Sequence, residues 1–548
     1  MVKLSSAFRL LRLMIRIFRR SWITRAGKLA AYIALALSSA GSARAQYLDA
    51  RLIPRGALRI DFSPHYTNYN LRFSFGTPGI ADGTAEPLGT DLTVDTAGSN
   101  IFPTFSGAEN AIRSLTGDAA YRLHVGKFST IRDADVRHFP FGFALGVSRR
   151  LTVRLNIPIV TTRSQVTFTS DTTDANVGWN LANENYGSAT DAVDAAALIN
   201  QLSAAISEIE TMIAAGNFGC PSGPGCDQAR SIVTRAMTLL GNLFALTGLG
   251  AGGEAVAFAP LATSAAGAAV LAEIAAVALE LQALGASPVT ATLPLPTGRL
   301  SADDINNFLL GGPDFTALPI GFNRQTRFGD IEIGARFGLL MNATTRAVLT
   351  TTVRLPTGRP SSADNFVDIG TGDGQTDVEL GIEAVFEPGN SIGVSFGASY
   401  TLQLAHTLNR RVTTPNAPLV PVSHRFLVKR DLGNVIRFSA YPTIRLSNIF
   451  RVFGSVHYFR KGRDSFSYPG SSPAGAPDIA LLEVETEMRA LSYGGGIAYR
   501  SDQTSRGQTL PIEAGLNYRA AFSGSGGLTP KTNSMQLYLR LFFQAFGP

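Results

Sequence analysis

The sequence predicts an all-β membrane protein, a twelve-stranded antiparallel outer-membrane β-barrel with an inserted α-helical subdomain. Segment after segment alternates apolar with polar or small residues over about ten positions, the length that a tilted strand needs to cross a bilayer. The connections between these segments alternate short and long. One long interval is instead rich in alanine and has the apolar period of a helix.

The predicted strands are defined by this alternation and by the turns between them. They span 57–75, 133–148, 151–167, 327–340, 345–356, 375–387, 390–406, 431–446, 449–460, 483–500, 509–521 and 533–546. The short turns lie at Arg149-Arg150, Asn342–Thr345, Pro388–Asn390, Ser447–Asn448 and Ser501–Gln508. An even strand number with short periplasmic turns and longer outer loops is typical of outer-membrane barrels. A soluble β-sandwich also alternates, but the strand lengths and the connection pattern favour the barrel.

The N-terminal residues 1–45 are predicted to be a secretory signal peptide. They contain nine basic residues and no acid, so the remaining 39 basic and 41 acidic residues leave a charge of −2 from the total of +7. An apolar stretch, Leu29–Leu37, is followed by Ala43-Arg44-Ala45, which fits a cleavage site before Gln46. A non-cleaved amphipathic anchor is the alternative. Because the basic charge belongs to this segment, the sequence indicates no nucleic-acid partner.

The interval 188–286 is predicted to be an α-helical insertion in an outer loop, between barrel parts 46–187 and 287–548. Three apolar stripes have helical spacing. They comprise Leu198, Leu202, Ile206, Ile209 and Ile213, then Val233, Met237, Leu240 and Phe244, then Val270, Ile274, Val277, Leu281 and Leu284. We interpret all three as packing faces. The stretch 264–284 is apolar, but Glu273 and Glu280 argue against a membrane-spanning helix.

Residues 329–381 resemble a known family, the outer-membrane "transporter" barrels associated with the meta-pathway of phenol degradation. The similar segments are GDIEIGAR at 329–336, RLPTG at 354–358 and GTGDGQTDVELG at 370–381. They are strand–loop–strand signatures over a small part of the chain. The resemblance implies movement of aromatic or other hydrophobic compounds across the outer membrane. The helical insertion departs from the family pattern.

The C-terminal strand resembles the signal that the outer-membrane assembly machinery reads. Met535, Leu537, Leu539, Leu541 and Phe543 alternate on one face and end in an aromatic residue. The strand departs from the signal by five further residues, Gln544–Pro548. We therefore expect two partners, the outer-membrane lipid through the apolar face and the assembly machinery through Met535–Phe543.

Alternation also predicts which charged side chains face the barrel lumen. These are Arg154, Glu332, Arg336, Arg354, Glu379, Glu383, Arg437, Arg445, Arg451, Glu513, Arg519 and Arg540. A mixed lining of this kind tunes selectivity in a pore. The alternative is that the same residues form ion pairs that fill a closed barrel.

Other sequence features point to structure more than to chemistry. Cys220 and Cys226 flank a Pro- and Gly-containing turn, which predicts a disulfide in an oxidising compartment. The four aspartates of Asp364–Asp377 fit no EF-hand spacing, so we expect a solvated loop. The six histidines are scattered along the chain, so we expect no enzyme, metal or cofactor.

The function that these features predict is a passive channel or transporter for small solutes, including the hydrophobic or aromatic class that the resemblance implies. A structural or adhesive barrel that presents the helical insertion outside the cell is the alternative.

Overall fold

The computed structural model describes residues 50–546 apart from positions 75, 77–80, 250–255, 312–314, 316–317, 319, 390, 415–418 and 502–511. The predicted signal peptide 1–45 lies outside the described residues, as does most of the predicted turn Ser501–Gln508.

The described strands form a closed antiparallel barrel of twelve, which confirms the predicted fold class. We label them β1 (Ala57–Phe62, continued by His65–Tyr69), β2 (Lys127–Gly146), β3 (Leu151–Asp171), β4 (Asn323–Phe328, continued by Glu332–Met341), β5 (Thr345–Arg354), β6 (Asp377–Phe386), β7 (Ile392–Gln403), β8 (Val435–Arg445), β9 (Phe450–Lys461), β10 (Met488–Arg500), β11 (Ile512–Ser525) and β12 (Asn533–Gln544). Each strand pairs with the next along the chain. The barrel closes where β12 pairs with β1, with Ala57 opposite Gln544 and Asn68 opposite Asn533.

Several strand ends differ from the prediction for identifiable reasons. The first strand ends at Tyr69, because Leu71–Phe73 leaves the barrel to pair with Ala85–Pro87 and Thr529–Pro530. β2 and β3 are longer than predicted, because they pair with each other over their full length, from Lys127 opposite Asp171 down to the turn.

The outward face of the barrel is apolar, as the alternation predicts. Ile333 and Leu537 are each 51% exposed, and they alternate along their strands with buried polar residues. Large apolar side chains are exposed in the same way around the barrel, among them Phe141, Leu380, Phe396, Phe438, Val452, Ile497 and Tyr518. In water so large an apolar surface would be unfavourable, whereas in a bilayer it contacts lipid. The fold is therefore that of an outer-membrane barrel.

A helical body lies at the end of the barrel opposite the short turns. It contains α1 (Ser106–Thr116), α2 (Ala189–Ala214), α3 (Pro224–Thr247), α4 (Ala265–Ala283) and α5 (Ala302–Gly311). The predicted stripes of α2 and α4 supply much of its buried core. The predicted stripe of α3 is wrong in part, because Met237 is 45% exposed and the buried face contains Val233, Ala236, Leu239, Leu243 and Leu246. The core also includes Ile112 of α1 and Phe308 of α5, so the helical body extends beyond the predicted interval 188–286.

Among the described helices, α4 alone is long enough and apolar enough to cross a membrane, as judged by length and composition. In the structure it packs with α2 and α3 through Val270, Val277 and Leu281. Its two acidic residues, Glu273 and Glu280, both pair with Arg235 of α3. These contacts show that α4 is a packed helix of the helical body.

Candidate pore lumen and solute chamber

The inward face of the barrel carries all twelve predicted lumen residues, and none of them is among the exposed residues. Period-2 alternation explains this placement, because each lies on the face opposite the exposed apolar side chains. Most of them meet a partner of opposite charge. The pairs are Arg336–Glu383, Arg354–Glu332, Arg437–Glu379 and Arg540–Glu513, and both Arg445 and Arg451 contact Glu387. Arg154 donates to the Thr352 hydroxyl, and Arg519 makes no ion pair with a described residue.

Other inward-facing charges complete these networks and were missed from the sequence. Glu387 forms ion pairs with Arg346, Arg445 and Arg451 near the periplasmic turns. Asp61 contacts both Arg59 and Arg540. Strand parity would have predicted Asp61, because it alternates with Leu58, Ile60 and Phe62. Glu387 has the parity of Glu379 and Glu383 and is the last residue of the predicted strand 375–387, so the same signal would have found it.

The periplasmic end of the lumen is crossed by residues 50–54, which we call the N-terminal plug. The Ile53 amide donates to the Thr152 hydroxyl on β3 at 3.0 Å, and Arg336 on β4 donates to the Arg51 carbonyl at 3.3 Å. Ala50 packs against inward-facing Val348 of β5 and Val385 of β6.

The close approach of the plug to the barrel wall also explains why residue 146 is a glycine. A Cβ added at Gly146, the last residue of β2, would lie 2.0 Å from the Pro54 carbonyl oxygen, so only glycine allows this contact. The plug therefore contacts β2, β3, β4, β5 and β6, and it spans much of the periplasmic mouth.

The outer half of the lumen contains a chamber of about 550 Å³. Its apolar lining comprises Tyr69, Leu88, Leu92, Val166, Phe366, Val367, Leu432, Val435, Phe459, Met488 and Leu528. Its charged lining comprises Arg72, Asp91, Arg132, Arg354, Asp373, Asp377, Arg437 and Lys461. Volumes of about 300–1,000 Å³, with apolar walls and a few polar groups, are usual for small-molecule sites.

The roof of the chamber joins the helical body to the barrel. Leu92 and Phe366 line the chamber and also pack against the apolar core of the helical body. Arg411 on the strand His406–Arg411 donates to the Phe315 carbonyl at 2.7 Å and pairs with Asp364 at 3.0 Å. A solute entering from outside therefore meets the helical body and its connecting loops before the chamber.

The loop 355–376 forms part of this roof, and its folding explains the residues that resemble the transporter family. Asp330, in the break of β4, accepts hydrogen bonds from the Gly358 amide at 2.8 Å and the Asp373 amide at 3.3 Å. A Cβ at Gly372 would lie 2.5 Å from an Asp330 oxygen. These residues lock the loop against the barrel wall.

The expectation of a solvated aspartate loop is therefore wrong. The side chains of Asp368 and Asp377 are 1% and 2% exposed and pair with Arg359 and Arg354. Burial, together with the nearby carboxylates of Asp377 and Asp330, raises the pKa of Asp373 to about 7. Within the described residues there is no group of three potential metal ligands.

Cys220 lies in the turn between α2 and α3 and Cys226 in the first turn of α3, with their Cα atoms 4.9 Å apart. This separation is within the range that a disulfide bridges. Their pairing stays a prediction for the mature protein.

The fold and the lumen define a transmembrane β-barrel with a chamber in its outer half and a short segment of chain across its periplasmic end. The structure is similar to an outer membrane channel of Pseudomonas putida F1, at 8% identity and a TM-score of 0.39, over 92% of this chain and all of that one. It is also similar to the Ralstonia pickettii toluene transporter TbuX, at 10% identity and a TM-score of 0.30, over 93% of this chain and 96% of that one.

The Pseudomonas putida toluene transporter TodX is similar at 10% identity and a TM-score of 0.26, over 93% of this chain and 95% of that one. No protein-family model matches the chain, and no curated protein matches it. At such identities and TM-scores the similarities carry no argument about the solute.

Proposed function

We propose that the protein is an outer-membrane pore for small solutes with an apolar body, and that the pore is gated at both ends. The observation that carries this proposal is the chamber of about 550 Å³ inside a closed barrel. Filling the interior with side chains would suffice for a purely structural barrel. A retained chamber with largely apolar walls is instead suited to a guest molecule.

The two covers of the chamber differ in how firmly they are held. The helical body has its own large apolar core and several helix–helix contacts, so it is a stable roof. The N-terminal plug is only five residues long and has no secondary structure of its own, and its contacts with the wall include the hydrogen bonds of Ile53 and Arg51 and a few apolar contacts. Displacing the plug therefore costs less free energy than displacing the helical body, and we assign the plug the role of the periplasmic gate.

The twelve predicted lumen residues have a defined role in this proposal. The ion pairs among them neutralise most of their charge, while the chamber walls supply apolar contact. The aromatic or hydrophobic solute class implied by the resemblance is compatible with such walls.

The remaining proposals concern maturation and assembly. We propose that residues 1–45 are cleaved, that Cys220 and Cys226 form a disulfide, and that assembly machinery recognises Met535–Phe543. The support is the cleavage pattern, the 4.9 Å Cα separation and the position of β12 at the barrel seam. The apolar exterior supports contact with outer-membrane lipid.

The test is solute flux through the purified full-length protein in liposomes. We expect flux of solutes that fit the chamber and exclusion of solutes much larger than it. A folded barrel that passes no solute, with the plug present or removed, would favour the alternative of a structural or adhesive barrel.

A further inference from the structure

One lumen arginine differs from the others in having no counter-charge. Arg519 lies on β11, opposite Gly494 of β10 and Ser534 of β12. It makes neither an ion pair nor a side-chain hydrogen bond with any residue that the structure describes. By contrast, Arg336, Arg437 and Arg540 each pair with a glutamate on a neighbouring part of the wall.

The surroundings of Arg519 are basic and polar. His65 and His457 lie close enough to interact with it electrostatically, as does Tyr441. Glu332 interacts electrostatically with His65 and Glu383 with Tyr441, but these two acids already pair with Arg354 and Arg336. The Arg519 charge therefore has no dedicated anion in the barrel wall.

Arg519 lies lower in the lumen than the residues that line the chamber. Arg519 is surrounded by protein, yet its side chain keeps accessible surface, so it borders open space within the lumen. His457 and Phe459 are successive inward residues of β9, and Phe459 lines the chamber. The cation consequently lies beneath the chamber, on the way to the periplasmic end.

A cation enclosed by protein is costly unless an anion accompanies it. A fixed, unneutralised cation in a lumen lowers the energy of an anion beside it and so selects for anions. Arg132 in the chamber wall also has no ion pair among the described residues and contributes a charge of the same sign. An anionic group in the lumen can therefore interact with two cations, Arg132 in the chamber wall and Arg519 below it.

We propose that Arg519 binds the negative charge of the permeating solute, and that this solute is a small monoanion with an apolar body. The anionic group contacts the Arg519 guanidinium while the apolar body occupies the chamber above it. This inference rests on the proposed pore function and narrows its solute class.

The experiment compares two solutes of nearly equal size, benzenesulfonate and neutral benzenesulfonamide, in liposomes containing the full chain. We expect the wild type to pass the sulfonate faster by roughly tenfold, the scale of one partly screened charge pair. Arg519→Gln should remove this preference, and Arg519→Lys should keep it. Arg324→Gln, which removes an exposed arginine from β4, is the matched control and should leave the preference unchanged.

The possible outcomes separate the two proposals. Equal flux of both solutes through the wild type, or a sulfonate preference that survives Arg519→Gln, would overturn the anion site while leaving the pore intact. Absence of flux for either solute would overturn the pore itself. A reversal potential showing chloride preference without sulfonate preference would restrict Arg519 to inorganic anions and overturn the proposed solute class.

Discussion

The N-terminal plug gives the sharpest prediction, because a single apolar side chain holds much of it in the lumen. Ile53 is buried and packs against Ala57 and Ala144, while its amide donates to Thr152. We expect Ile53→Ala to weaken the closed state without affecting barrel pairing, because Ile53 lies outside every strand.

The magnitude follows from the contacts that the substitution removes. Replacing a buried isoleucine by alanine costs about 2–5 kcal/mol, and we take the lower end because the buried cluster of Ile53 contains only two further residues, the small side chains of Ala57 and Ala144. About 2 kcal/mol corresponds to a change of roughly 30-fold in the ratio of open to closed plug. Thr152→Ala removes the hydrogen bond that the Ile53 amide donates and should destabilise the closed plug by about 1 kcal/mol more.

Single-channel recording in planar bilayers measures this ratio directly as the fraction of time that the pore is open. Ile60→Ala is the control, because Ile60 lies on the lipid-facing side of the neighbouring strand β1. The open fraction should rise with Ile53→Ala and stay constant with Ile60→Ala. An unchanged open fraction in an Ile53→Ala barrel that is folded, as judged by heat modifiability, would refute the role of the plug.

Three further predictions follow from other parts of the structure. Ile333→Arg places a cation on the lipid face at a cost of about 2–4 kcal/mol, so the folded band in a heat-modifiability gel should decrease, whereas Ile333→Leu should not change it. Because folding raises the pKa of Asp373 to about 7, its contribution to the stability of the outer loops is complete below the unfolded value near 3.8 and is lost as pH rises through 7. Hydrogen exchange of the loops should show this pH dependence, and Asp373→Asn should abolish it. Cys220→Ser should lower the stability of the helical body by less than about 3 kcal/mol, because the bridge closes a short ring, and a larger loss in thermal unfolding would contradict the disulfide as a local staple.

The barrel wall could be predicted from sequence because two physical constraints act on every strand. Side chains alternate with a period of two, and the bilayer sets the length over which the outer face must be apolar. These constraints locate Ile333 and Leu537 outside and Arg336 and Arg540 inside, as the structure shows.

The contents of the lumen could not be predicted in the same way. The N-terminal plug has no periodic pattern, and its position depends on contacts with residues far along the chain, such as the hydrogen bonds with β3 and β4 at separations of 99 and 285 residues. The chamber results from the loop 355–376 folding onto Asp330, which is a tertiary contact without a local signal. Helix α1 was missed because its eleven residues lie within a long connection of mixed composition.

The most direct test of the account is the flux of benzenesulfonate through liposomes that contain either the wild type or a variant lacking residues 50–54. A gated pore predicts measurable flux through the wild type and a large increase through the deletion variant, whose lumen is open at the periplasmic end. A folded deletion variant that remains sealed would contradict the pore and leave a barrel whose interior is filled for structural reasons.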